Sequence, residues 1–305
     1  MTSVRTGVDL GGTKIEAVVL SAEGDVLARQ RTPTPSGDYS ATITTLASLV
    51  KAVEAEAGAS ARGIGVGTPG SVSPKSGLMR NANSVVLNGK PLDRDLAETL
   101  ARPVRLENDA NCFALAEAMA GAGQGQQTVF GVILGTGVGG GIVVGGETLM
   151  GGNGIGGEWG HNPLPAPDRE EFLGPDCYCG RKGCIEAWCS GPALAADHLR
   201  VTGSEMPAEM IASFAKAGEA TAQESLQRHT ARLARALAGV VNILDPDVIV
   251  LGGGLSNLEH LYRNLPEAMA PHVFSDVFET PIVKNKLGDS AGVIGAAWLW
   301  PLENT

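Results

Sequence analysis

The chain has 305 residues, of which 43% are hydrophobic and 18% charged, enough apolar surface for a buried interior and too much for a disordered chain. Its net charge of -10 excludes nucleic acid or an anionic membrane as the main partner, because both reward a basic face. Glycine is the outlier, at 42 of 305; no Gly-X-Y period is present, so collagen is excluded, and the excess is expected in tight turns and in loops that bind through the backbone.

The length suits two lobes, on a prior of roughly 100–200 residues per domain. No stretch approaches the roughly 18 apolar residues that span a bilayer. Residues 1–6 lack the charged start and apolar run of a secretory leader. The five cysteines are an odd number, and four of them fall between Cys177 and Cys189, which points to a reducing, cytoplasmic compartment rather than a disulfide framework.

Residues 4–10, 15–20 and 26–31 read as three strands joined by Gly11-Gly12 and by the turn chemistry of Ala22-Glu23-Gly24-Asp25. Residues 39–56 carry Leu46, Leu49, Val50 and Val53 at helical spacing. A strand at 64–66 runs into Gly67-Thr68-Pro69-Gly70, and residues 93–101 read as a helix with an Asp cap. A strand at 104–106 precedes a helix at 109–120, opened by the acidic side chain that a helix N-terminus favours. Gly121–Gln127 has linker composition, after which a second strand–glycine turn–strand unit begins, with strands at 129–134 and 141–144. Gly131-Val132-Ile133-Leu134-Gly135-Thr136 parallels Gly7-Val8-Asp9-Leu10-Gly11-Gly12, so the chain reads as a weak internal duplication. Residues 225–244 form a helix with Leu226, Leu233, Leu237, Val240 and Leu244 on one face, stopped at Asp245-Pro246-Asp247. A buried strand at 248–251 ends in Gly252-Gly253-Gly254, and residues 291–300 read as an apolar helix packed between the lobes.

The turn Asp9-Leu10-Gly11-Gly12-Thr13-Lys14 lets backbone N–H groups approach an anion. It is no Walker A loop, since Thr precedes Lys and a strand follows, and a plain hairpin turn explains it equally. Gly135-Thr136-Gly137-Val138-Gly139-Gly140 matches G-x-G-x-x-G in form, but a strand follows where a dinucleotide site requires a helix. Two such loops would grip a polyphosphate, and Gly252-Gly253-Gly254 could seat its base. Asp109, in Glu107-Asn108-Asp109-Ala110-Asn111, can accept a proton from a substrate hydroxyl while Asn108 binds a second one; a helix N-cap accounts for Asp109 as well.

His161, Cys177, Cys179 and Cys184 supply one imidazole and three thiolates, a tetrahedral Zn²⁺ set with no open position and therefore structural. Glu158 and Glu186 flank this loop and would accept hydroxyls of a polyol, or stand as surface acids. Cys112 and Cys189 are expected in the core.

Taken together, these motifs resemble the ROK family of sugar kinases and related repressors, along essentially the whole chain. The resemblance rests on the two glycine loops, on Glu158-x-x-His161 and on the Cys-x-Cys-x4-Cys cluster. It implies an α/β, two-lobed actin/hexokinase-like (ribonuclease H-like) fold with an interlobe cleft. The smaller lobe would take residues 1–120 plus a C-terminal helix at about 291–305, and the larger lobe 121–290 with the zinc loop. It also implies ATP and Mg²⁺ as cofactors beside structural Zn²⁺. Asp109 would be the catalytic base; Asn83, Asn108, Glu158, His161 and Glu186 would contact the sugar, with His161 also on zinc. Asp9 would position Mg²⁺, mainly through water. Gly11, Gly12, Thr13, Lys14, Gly135, Thr136, Gly137 and Gly139 would hold phosphates, and Gly253 and Gly254 would border the adenosine pocket.

Within the family, residues 81–84, 87–89, 151–154 and 158–165 look most like bacterial fructokinase/mannokinase. They imply transfer to the 6-hydroxyl of fructose, with a glucokinase or N-acetylhexosamine kinase as the alternative. A sugar-responsive regulator is the rival of another class; such proteins carry an N-terminal helix-turn-helix domain, for which a phosphate loop starting at Asp9 leaves no room. The resemblance also suggests a homodimer.

Overall fold

The computed structural model describes residues 3–82 and 84–302. The N-terminal alternation folds as three strands, β1 (Arg5–Leu10), β2 (Lys14–Leu20) and β3 (Val26–Pro33), followed by α1 (Tyr39–Ala57) and β4 (Ile64–Thr68). Then come β5 (Ser71–Val72), β6 (Met79–Arg80), α2 (Leu92–Leu100), β7 (Val104–Asn108) and α3 (Asp109–Ala120). The second run starts with β8 (Thr128–Leu134), β9 (Val138–Val144) and β10 (Glu147–Thr148). It continues through α4 (Ile185–Cys189), α5 (Gly191–Thr202), α6 (Ala208–Lys216) and α7 (Ala220–Leu244). It ends with β11 (Val248–Gly252), α8 (Glu259–Met269), β12 (Ile282–Lys284) and α9 (Ala291–Trp298). No helix among the described residues is long and apolar enough to cross a membrane.

The chain divides into two units. The first takes Met1–Gly125, Gly141–Gly156 and Lys286–Thr305; the second takes Gln126–Gly140 and Gly157–Asn285. One five-stranded sheet has the order β3-β2-β1-β4-β7 and the other β10-β9-β8-β11-β12. Read by position, both orders are third, second, first, fourth, fifth. The first strand of each pairs in parallel with the fourth, Val8 opposite Val66 and Gly131 opposite Val250. The duplication seen in the glycine turns is therefore a duplication of topology.

Several boundaries differ from the expected ones for local reasons. Helix α2 starts at Leu92 behind Pro91 with no side-chain cap; Asp93 lies in its first turn, where the helix dipole still favours the carboxylate. Helix α3 is capped by Asn108, whose Oδ1 accepts the Ala110 N–H at 2.9 Å. Strand β9 begins at Val138, three residues before the expected start at Gly141. Gly139 and Gly140 are thus strand residues, and a Cβ on Gly140 would stand 2.6 Å from Trp159. Helix α7 extends back to Ala220 because Glu219 accepts the Thr221 and Ala222 N–H groups. On its inner face Val241 is buried, while Val240 and Leu244 are half-buried.

Not all the glycine excess is in turns. Gly7 on β1 and Gly65 on β4 lie directly under α9; a Cβ on Gly65 would overlap the Ala296 carbonyl, and one on Gly7 would overlap backbone of Val293 and Ala297. Across the same helix, Gly295 meets the Cys112 carbonyl of α3. Helix α9 therefore packs backbone to backbone on both sides, within the first unit.

Overpacking a core usually costs about 1–3 kcal/mol because neighbours shift. Here the neighbours are main chain, so Gly65→Ala is expected to lose more than about 3 kcal/mol or fail to fold. Gly152→Ala, with nothing within 4 Å, should stay within about 0.5 kcal/mol of the parent. Urea denaturation of the two variants checks this.

Candidate active site and metal-binding loop

The first unit holds two of the expected acids. Asp9 sits near the end of β1, half-buried, with Gly292 of α9 so close that a Cβ there would be 3.4 Å from the carboxyl. A Cβ on Gly67 would lie 3.8 Å from Asp9 Oδ1 and 3.1 Å from Cys112 Sγ. Burial, then the charges of Asp109 and Glu16, push the Asp9 carboxyl up to about 6, against an opposing pull from Lys14. Asp109 is the exposed first residue of α3. Because Asn108 caps the helix, capping alone no longer accounts for Asp109, although its Oδ1 also accepts the Ala110 N–H at 2.9 Å.

Asn108 is spoken for twice, since its Nδ2 donates to the Gly70 carbonyl at 3.2 Å. The strand–helix corner is braced by Glu107, buried at 6% exposure. Its Oε1 accepts from Asn108 N at 2.9 Å and Asn111 Nδ2 at 3.0 Å, and its Oε2 from Thr148 Oγ1 at 2.9 Å. Glu107 has no assigned role in the sequence; its place directly before the helix start at Asn108-Asp109 was the available signal.

In the first glycine turn, Gly11 N–H donates to the Lys14 carbonyl at 3.0 Å, and Thr34 Oγ1 donates to the Gly11 carbonyl at 2.8 Å. Gly12 and Thr13 are exposed. Lys14 Nζ lies 3.7 Å from Glu16, a buried acid also paired with Arg29 and Arg31. Asn83 lies outside the described residues.

The second unit holds the rest. After β8 the turn Gly135-Thr136-Gly137 closes with a Gly135 N–H to Gly137 carbonyl bond of 2.9 Å, and Gly191 N–H caps the Gly135 carbonyl at 2.8 Å. Glu186 Oε2 accepts the Val138 N–H at 3.0 Å, and a Cβ on Gly137 would stand 2.6 Å from that oxygen. Gly253, at φ 77°, presses against β8 so closely that a Cβ would be 2.5 Å from the Leu134 carbonyl, whereas Gly254 faces open space. Trp159 Nε1 donates to the Gly139 carbonyl at 2.9 Å, and its ring meets Phe130 edge-on at 5.6 Å. That anchors the short turn between the exposed Glu158 and His161.

His161, Cys177, Cys179 and Cys184 come together, with one donor atom from each lying within 4.8 Å of all the others. Cys177 Sγ is 3.6 Å from His161 Nδ1, and Cys179 Sγ is 3.6 Å from Cys184 Sγ. Thiolates bound to zinc at 2.3 Å in a tetrahedron stand about 3.8 Å apart, so the donor set and its spacing fit that ion. His161 Nε2 lies 3.0 Å from Tyr178 Oη, which fixes the ring with Nδ1 toward the thiols. Backbone bridges Pro163 to Cys184 and Asp176 to Lys182 hold the loop. Cys112 and Cys189 are fully buried away from it.

Residues 5–303 match the sequence profile of the ROK family. The N-acetyl-D-glucosamine kinase of Pectobacterium carotovorum is 39% identical over 303 residues, covering 98% of this chain and 99% of that protein. The ROK hexokinase of Thermus thermophilus superposes with a TM-score of 0.86 at 35% identity, over 97% of both chains. A ROK family glucokinase from Streptomyces griseus, solved with glucose and AMPPNP, superposes with a TM-score of 0.74 at 28% identity, over 97% of this chain and 98% of that one. The short segments that looked like fructokinase/mannokinase are outweighed: full-length likeness runs to kinases of another sugar.

Asp9 gives the first unit a pH signature. Its native value of about 6 lies above the ordinary 3.8, so the folded chain keeps this proton to higher pH than the unfolded chain does. The contribution to stability is therefore unfavourable on ionisation, growing from about pH 4 and complete above about pH 6. Asp9→Asn is expected to stabilise the protein by up to about 3 kcal/mol at pH 8 and clearly less at pH 5. Urea denaturation at the two pH values tests this, and a gain that does not grow with pH contradicts it.

Proposed function

The chain belongs to the ROK family, and on that premise we propose that it is an ATP-dependent sugar kinase that phosphorylates N-acetyl-D-glucosamine on its 6-hydroxyl. The observation that carries the sugar is the 39% identity, over nearly the full length of both chains, to a kinase of that name. Asp109 accepts the proton of the 6-hydroxyl as the oxygen attacks the γ-phosphorus and the bond from that phosphorus to the β–γ bridging oxygen breaks, releasing ADP. Asp9 would hold the Mg²⁺ of the nucleotide, an ion that when bound would offset charge on the phosphates. The exposed backbone of Gly12 and Thr13 and the turn Gly135-Thr136-Gly137 receive phosphate oxygens, and Gly253 and Gly254 border the adenosine. In-line phosphoryl transfer has a loose transition state, so positioning and charge supply most of the rate.

Glu158 and Glu186 take the remaining sugar hydroxyls, and His161 Nε2 takes one in exchange for its Tyr178 Oη partner. His161, Cys177, Cys179 and Cys184 would hold one Zn²⁺, which when bound supplies a rigid cross-link rather than a reactive site, since four protein ligands leave no open position. That cross-link ties His161 to the chain around Glu186 and so fixes two sugar contacts at once.

ADP release with ATP·Mg²⁺ should be fastest with N-acetyl-D-glucosamine among that sugar, fructose, mannose, glucose and N-acetylmannosamine; a preference for fructose would refute the sugar assignment. Asp109→Asn should fold normally and lose about 10²–10⁴-fold in kcat, and near-normal turnover would refute the base. Elemental analysis should find one zinc per chain, and Cys179→Ser should lower both zinc content and affinity for the sugar in calorimetry.

A further inference from the structure

We infer that Arg232, acting with Glu171, is a positioning residue that sets the metal loop and Glu186 from behind; this rests on the roles proposed above for that loop. Helix α7 turns Arg228, Arg232 and Arg235 to one side, at positions i, i+4 and i+7. Arg232 is 3% exposed. Its Nε donates to Glu171 Oε1 at 2.8 Å, its Nη1 lies 3.0 Å from Asp197 Oδ1, and its guanidinium stacks 4.4 Å from the Trp188 ring. Arg235 takes the other Glu171 oxygen at 2.7 Å, and Arg228 takes the other Asp197 oxygen at 2.8 Å.

A buried charge cluster of this kind is a poor way to gain stability, because desolvation offsets most of the attraction and apolar residues of similar volume do as well. What it supplies is fixed geometry, and the groups it fixes are the two ends of the metal loop. Upstream of Cys177, the Glu171 carbonyl accepts the Gly174 N–H at 3.0 Å, Gly174 packs against Gly183, and Gly183 N–H donates to the Pro175 carbonyl at 2.8 Å. The position of Glu171 is thus passed to the residue next to Cys184. Downstream, Trp188 shares α4 with Glu186, and His229 of α7 holds the Cys189 carbonyl at 2.9 Å. One guanidinium therefore grips both the segment entering the loop and the helix leaving it, and touches neither the metal ligands nor the sugar contacts. Lysine cannot replace it, since a point charge lacks the planar fork that meets two carboxylates and an aromatic face together.

The test uses full-length, zinc-loaded Arg232→Lys and the milder Glu171→Gln, with Arg200→Ala as control; Arg200 reaches Asp197 from a 47% exposed position and does not meet the loop. Zinc release to a colorimetric chelator should speed up, and KM for the sugar should rise, by about tenfold or more in both variants. Their kcat and KM for ATP, and every parameter of the control, should stay within about twofold of wild type. A cluster that only stabilises the fold would lower the melting temperature and leave release rate and sugar KM unchanged, and that result overturns the inference. Wild-type protein that binds no zinc overturns the metal-loop reading itself, and this inference with it.

Discussion

The contact on which the placement of Asp9 and Asp109 in the first unit depends is main chain against main chain. Helix α9 lies on β1 and β4 at Gly7 and Gly65, and on α3 at its own Gly295. No side chain separates these elements, so their spacing is set by backbone van der Waals radii and has little room to relax. Two consequences follow for the chemistry. Gly292, one turn earlier on α9, comes up against the Asp9 carboxyl and helps dry it. The same packing brings the α3 backbone in at Cys112, one turn from Asp109. Asp9 and Asp109 are thereby held near enough that each charge opposes the other, which contributes to the raised value of Asp9. An acid whose ionisation is opposed by burial and a like charge is one that gains most from a divalent cation.

The second unit solves its positioning problem differently. It repeats the strand order of the first sheet, and its first strand again ends in a glycine turn. But the acid nearest that turn, Glu186, comes from α4, and its carboxylate caps Val138 N–H directly. Nothing in a five-residue helix fixes such a side chain by itself. The surrounding loop is fixed instead by the four clustered donors on one side and by the arginines of α7 on the other.

Much of this was legible in the chain. The strand–glycine turn–strand units show as short apolar runs broken by glycine, and both sheets open with them. The four metal-ligand candidates show by residue type and spacing, and they converge. What could not be read has physical reasons. A glycine in a strand looks the same whether it makes a turn or admits a helix backbone, so Gly7 and Gly65 carried no distinguishing mark. Asn108 and Asp109 are both good helix caps, and only the backbone tells which one caps: Asn108 is extended at φ -63° and ψ 145°, and Asp109 is already helical. Nothing in the sequence marks the arginines of α7 as buried, because their partners Glu171 and Asp197 are distant along the chain. Sugar identity is the least legible feature: the short segments look like fructokinase/mannokinase, while full-length likeness favours the N-acetylhexosamine kinase alternative; a hexose is selected by a handful of hydroxyl contacts, whereas likeness along the whole chain averages over all of them.

The claim at the centre of this account is that the γ-phosphate of ATP moves to the 6-oxygen of N-acetyl-D-glucosamine. The most direct test is ³¹P NMR of the wild-type protein with ATP·Mg²⁺ and N-acetyl-D-glucosamine. The account predicts a growing phosphomonoester signal coupled to the two C6 protons of the sugar, matched mole for mole by ADP. ADP accompanied only by inorganic phosphate, or a phosphate on another sugar oxygen, would contradict it.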